Sequence, residues 1–138
     1  RYQGKVAAWN QMNHELAHRI YAGCDLFLMP SAFEPCGLSQ MIALRYGTGP
    51  IVRETGGLKD TVQPFNPFTG EGVGFTFYSY NAHDMLDAIN RAVTTYRENK
   101  KDWRKIIGNA MRGDYSRPHS TRKYIDLYEK LAPDAQEE

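Results

Sequence analysis

The apolar run Leu26-Phe27-Leu28-Met29 stops at Pro30, and beyond Gly37 the pattern becomes helical. An unbroken apolar strand of this length reads as one covered on both faces, the mark of a parallel sheet. Parallel neighbours need a crossover between them, normally a helix, so this one junction commits the chain to βα units. The rest keeps the same rhythm. Residues 5–9 (KVAAW) read as a short strand, 15–23 as a helix ended by Gly23, and 25–29 as the apolar strand. A helix is predicted over 38–46, stopped by Gly47, then a strand over 50–53 and a short helix over 57–62. Residues 63–74 form a loop and 74–77 the last strand. From Asn81 the chain turns helical, with Met85, Ile89, Ala92, Val93 and Tyr96 on one face. Two further helices are predicted over 101–111 and 119–131, the last with a stripe of Tyr124, Leu127, Tyr128 and Leu131. The predicted fold class is α/β, a Rossmann-like parallel sheet with flanking helices.

Composition excludes several partners. A chain of 138 residues can bury one modest core. A formal charge of +1 gives no general attraction to nucleic acid or to an anionic membrane. No apolar run approaches a membrane span, and no signal-peptide pattern opens the chain. Cys24 and Cys36 lack any metal-ligand or CxxC spacing, so no metal site is expected and reduced thiols in a cytoplasm are the expectation. The chain opens without Met and almost directly on a strand, and reads as a piece of a longer protein. Its last residues, from Ala132, are polar and acidic and read as a frayed C-terminus.

In an open α/β sheet, ligands bind beyond the carboxyl ends of the strands, and that is where Glu34 falls. Pro35 forces Glu34 into extended backbone, and Phe33 gives it an apolar flank. On local physics two readings of Glu34 stand: a functional carboxylate, or a loop residue stabilised by the following helix dipole. The backbone amides from Gly37 to Gln40 open that helix and can hold an anion, with Ser39 adding a hydroxyl. A carboxylate beside an anion cradle suits a ligand with a phosphate and a polar reacting end, which is what a sugar nucleotide presents. Gly56-Gly57 follows another strand and so lies on the same sheet edge. Cys36 has no partner base and reads as a small buried filler rather than a nucleophile. His14 and His18 share a helix face but lack further ligands. Arg19 and Arg45 suit either phosphate or a carboxylate, and Trp103 reads as core.

Longer motifs narrow this. His18-Arg19-Ile20, Met29-Pro30-Ser31, Phe33-Glu34-Pro35-Cys36-Gly37-Leu38, Gln40-Met41, Arg45-Tyr46-Gly47, Thr55-Gly56-Gly57-Leu58 and Asp60-Thr61-Val62 resemble the C-terminal region of bacterial glycogen synthases and plant starch synthases. The resemblance runs over about residues 9–131. Thr69-Gly70-Glu71-Gly72 and Asn81-Ala82-His83-Asp84-Met85-Leu86 look more like the bacterial enzymes. It implies a retaining glucosyltransferase of GT-B architecture, with two Rossmann-like domains facing across a cleft. Such enzymes move glucose from ADP-glucose to the non-reducing end of an α-1,4-glucan without metal or cofactor.

Carried over by motif, Glu34 is the catalytic candidate and faces the donor glucose with Cys36 and Gly37, Cys36 forming a wall. Gly37, Leu38 and Ser39 would contact the diphosphate. Met12, His18, Arg19, Thr55, Gly56 and Gly57 are candidates for further nucleotide or cleft contacts. Met12 stands where some members place an aromatic on the adenine. Residues 1–113 would be the later half of the donor-binding domain, 114–132 a closing helix that returns toward the N-terminal domain, and 133–138 a disordered tail. The basic phosphate-binding residues and the Lys-x-Gly-Gly segment of the family would lie upstream of Arg1, so the piece alone is expected to be inactive. Eight residues beyond Glu34, where many related retaining enzymes carry an acid, stands Ile42. Same-face attack with the departing phosphate as base is therefore expected. The alternatives are a non-catalytic nucleotide-sugar or glucan-binding module of the same fold, and a related transferase using another sugar nucleotide.

Overall fold

Three short strands, β1 (Leu26–Met29), β2 (Gly49–Arg53) and β3 (Phe75–Phe77), pair in parallel in the order β1-β2-β3. The computed structural model describes residues 2–132. Between the strands run α2 (Ser39–Tyr46) and α3 (Gly56–Thr61), with α1 (His14–Gly23) ahead of β1. Three helices follow the sheet: α4 (Ala82–Glu98), α5 (Lys100–Arg112) and α6 (Arg117–Leu131). The predicted α/β order of strands and helices holds from residue 14 onward.

The central strand explains the core. Alternate side chains of a strand face opposite sides. Ile51 thus joins Phe75, Phe77, Ala88, Ala92 and Ile106 on one face, with Trp103 packed against them. Val52 joins Leu44, Leu58, Val62 and Ala110 on the other. α4 covers one side of β2 and α2 and α3 the other, while α5 contributes to both, with Ile106 on the Ile51 side and Ala110 on the Val52 side. β1 departs from the expectation of a strand covered on both faces, since Leu28 remains 40% exposed. Among the described strands it stands at one side of the sheet, paired with β2.

Residues 5–9 overturn an expectation. They form no strand, and Val6 and Trp9 are 72% and 62% exposed. A strand is stabilised by its ladder and its cross-strand neighbours, and this segment pairs with none of the described strands. Its β-forming composition therefore has nothing to act on. The stripe predicted on the last helix forms in α6, but Tyr124, Leu127, Tyr128 and Leu131 all face solvent. The expected tail over 133–138 lies outside the described residues.

Helix starts are set by asparagine. Asn13, Asn81 and Asn99 each accept a hydrogen bond from the amide three residues on, at the starts of α1, α4 and α5. At α4 the Ser79 hydroxyl, together with Asn81 and the Ser79 amide, holds the Asp84 carboxyl below its ordinary value against the opposing effect of desolvation. α2 starts differently, on Leu38, with no side chain capping it.

Candidate active site

The strands end at Met29, Arg53 and Phe77, and the segments that leave them make one edge of the molecule. The loop over 30–38 carries Glu34 and leads into α2. Its neighbour is the Gly56-Gly57 turn. The Gly57 amide donates to the carbonyls of Glu34 (3.2 Å) and Pro35 (3.1 Å). A Cβ on Gly57 would run into the Cys36 carbonyl, and one on Gly56 into the Glu34 carbonyl. The two glycine turns expected on one edge are therefore in contact. Gly56 and Gly57 act by letting two backbones touch, with Gly57 buried beneath the loop.

Gly37 takes a left-handed conformation, φ +72°, which turns the chain into α2 at a value glycine alone tolerates freely. Behind it lies Gln40, fully buried. Its amide nitrogen donates to the carbonyls of Cys36 (3.0 Å) and Gly37 (2.9 Å) and to the Thr61 hydroxyl (3.1 Å). Thr61 in turn donates to the Gly57 carbonyl at 2.6 Å. One side chain thus ties the turn, α2 and α3 together. Its Oε1 has no partner, which costs about 1–3 kcal/mol and is offset by the bonds of its nitrogen. Gln40 carries no signal of its own in the sequence; only its place after Gly37 hints at it. Gln40→Leu should lower stability by about 2–4 kcal/mol, because it leaves buried carbonyls without a donor. Gln40→Glu should do the same at neutral pH, since a carboxylate only accepts. A melting temperature unchanged in both variants would contradict this role.

With Leu38 at its start and no side-chain cap, α2 presents its first amides outward beyond β1. Ser39 opens the helix, half-buried, and Leu38 is exposed. Glu34 is half-buried, and its carboxylate makes no hydrogen bond among the described residues. Cys36 is exposed, which corrects its reading as a buried filler. Its side chain stands exposed while Gln40 takes up its carbonyl.

The remaining candidates spread over α1 and α3. Thr48 donates to the carbonyls of Tyr21 (2.5 Å) and Cys24 (3.1 Å), fixing the last turn of α1 at the amino ends of the strands. The start of α1 therefore points to the carboxyl side, where Met12 is exposed. His18 and Arg19 lie further along the helix, away from Glu34. His18 Nδ1 shares a hydrogen bond with the Tyr46 hydroxyl at 3.0 Å, and Arg19 pairs with Glu15 at 2.6 Å on the open surface. Arg45 pairs with no carboxylate among the described residues and donates to the Met111 carbonyl at 3.2 Å. Thr55 precedes α3, with no side-chain hydrogen bond to cap it. No group of three metal-ligating side chains gathers among the described residues.

A glycine turn opening an uncapped helix beyond the carboxyl ends of parallel strands can hold an anionic ligand. Residues 2–110 match the profile of the group 1 glycosyl transferases, and the chain belongs to that family. It is 60% identical over 130 residues to a glycogen synthase of Geobacillus thermodenitrificans, covering 94% of this chain and 27% of that protein. To the glycogen synthase of Desulfitobacterium hafniense it is 58% identical, covering 94% of this chain and 28% of the relative. The catalytic domain of starch synthase IV from Arabidopsis thaliana, solved bound to ADP and acarbose, superposes with a TM-score of 0.78 at 40% identity. That match covers 87% of this chain and 25% of the other. The chain thus spans about a quarter of the length of the glycogen synthases it matches. The expected GT-B class and the resemblance to glycogen and starch synthases both stand.

Proposed function

We propose that the chain is the later part of the donor-binding domain of a retaining glucosyltransferase that moves glucose from ADP-glucose to the non-reducing end of an α-1,4-glucan. The observation that carries it is the free Glu34 carboxylate held beside the uncapped start of α2. Relatives named glycogen synthase, and a starch synthase that binds ADP, support the donor and the acceptor.

The charges fit the reaction. Glucosyl transfer passes through an oxocarbenium-like state, positive at the anomeric carbon, while negative charge grows on the leaving diphosphate. The amides of Gly37, Leu38 and Ser39 oppose the negative charge as pre-oriented dipoles. Glu34 binds hydroxyls of the glucose and favours the positive charge, while Cys36, exposed beside it, walls the sugar. Met12, Thr55, Gly56 and Gly57 border the nucleotide side, the glycines through the backbone they support; His18 and Arg19 are secondary. With Ile42 in place of a second acid, attack comes from the same face and the departing phosphate takes the acceptor proton. No metal or cofactor is required.

The rest of the site would come from the N-terminal domain and from basic residues upstream. The exposed apolar face of α6 would return against that domain, with 1–113 as donor half-domain and 114–132 as closing helix. The intact enzyme would work in the cytoplasm; none of the described helices is long and apolar enough to cross a membrane.

The test is transfer of labelled glucose to maltooligosaccharide by the full-length enzyme, with ADP-glucose and UDP-glucose as competing donors. ADP-glucose should be preferred, and the isolated 138-residue chain should transfer nothing. Elongation by the isolated chain would refute the divided site. A glucosyl adduct trapped on Glu34 and seen by mass spectrometry would refute same-face attack.

A further inference from the structure

We infer that Arg53 is a positioning residue that locks the Glu34 loop to the segment leaving β3, and so sets where the Glu34 carboxylate stands. The inference rests on the transferase reading above. Arg53 ends the central strand, with Met29 and Phe77 ending the strands on either side. Its Nη1 donates to the Ala32 carbonyl at 2.6 Å and, at the limit of a bond, to that of Ser31 at 3.5 Å. Its Nε donates the other way, to the Tyr78 carbonyl at 3.2 Å. The Tyr80 ring covers the guanidinium, its centroid 5.3 Å from Cζ.

No carboxylate pairs with Arg53 among the described residues. A charged guanidinium in a half-buried place normally seeks an anion; this one spends its donors on carbonyls of two loops. Its fork reaches both at once, which the single ammonium of lysine does not.

The far loop is itself anchored. The Asp84 carboxylate accepts from the Ser79 amide at 3.3 Å, and the Asn81 amide donates to the Ser79 carbonyl at 2.8 Å. Arg53 thus transmits the fixed start of α4 across β2 to Ala32, two residues before Glu34. Gly57 holds the same loop from the other side, through the Glu34 and Pro35 carbonyls. Between the two supports, Glu34 has little freedom to shift.

The experiment is Arg53→Lys and Arg53→Met in the full-length enzyme, read by kcat, by KM for the glucan acceptor, by melting temperature and by amide hydrogen exchange. For Arg53→Met, kcat should fall about 10- to 100-fold, the scale of an ångström-sized misplacement. Acceptor KM should stay unchanged, and exchange should quicken only over 31–38 and 78–81. Arg53→Lys should fall between this variant and the parent. Unchanged kcat with unchanged loop exchange would overturn the inference. So would a loss of activity that only tracks a lowered melting temperature, with exchange raised throughout the sheet. If the unaltered enzyme moves no glucose, the transferase reading fails, and the exchange pattern alone then decides the role of Arg53.

Discussion

Replacing Glu34 with alanine in the full-length enzyme should leave the fold intact and lower glucosyl transfer by about 10²–10³-fold, the usual loss when one pre-oriented polar contact to the transition state is removed. The two halves of this expectation have separate causes. Glu34 holds the loop through its backbone: its carbonyl accepts from the Gly57 amide, while its carboxylate makes no hydrogen bond among the described residues. Alanine keeps the first and deletes the second, so melting temperature and circular dichroism should barely move. Glu34→Gln separates orientation from charge. It keeps an oxygen for the sugar hydroxyls but loses the negative charge near the anomeric carbon, and should fall between alanine and the parent. If elongation survives Glu34→Ala unchanged, the carboxylate has no part in the reaction and the catalytic reading of this motif fails.

Gly57→Ala should be as damaging by another route. The added methyl would sit inside the Cys36 carbonyl, which is backbone and cannot rotate away. Either the 30–38 loop lifts or α3 withdraws, and both break the Gly57 amide bonds to Glu34 and Pro35. Overpacking of this kind costs about 1–3 kcal/mol, and more where the neighbour is main chain. Activity should collapse, because the loop that moves is the one bearing Glu34. Gly23→Ala is the matched control. Nothing stands within 4 Å of a Cβ there, and the residue closes α1. The same methyl should be neutral or add about 0.5–1 kcal/mol through helix propensity. Melting temperature and kcat should both fall in Gly57→Ala, while Gly23→Ala keeps kcat and holds or raises the melting temperature; equal behaviour would mean that the contact beneath Gly57 does not constrain the loop.

How much of this could be read from the chain depends on how local each cause is. The Leu26–Met29 strand, the turn at Gly37 and the helix after it follow from neighbours in sequence, so they were legible. So was the stripe of α4, which meets the sheet as its period requires. Residues 5–9 were not, because strand formation depends on a partner that the segment itself does not specify. Cys36 was misjudged because its exposure depends on how the whole 30–38 loop sits on the sheet edge, which neighbouring residues do not specify. Gln40 and Arg53 were passed over for a shared reason. Their partners, Thr61 for the one and Ala32 with Tyr78 for the other, are brought near only by the pairing of the strands. Long-range polar contacts leave no periodicity to read.

The meeting of the Gly56-Gly57 turn with the Glu34 loop has a consequence for inheritance and for engineering. The loop has no seat of its own; its shape is completed by a turn some twenty residues later in the chain. The two segments are therefore one transplantable unit. Moving 31–40 alone into a related scaffold would deliver the carboxylate without its support, whereas moving 31–40 together with 53–61 would carry both supports along.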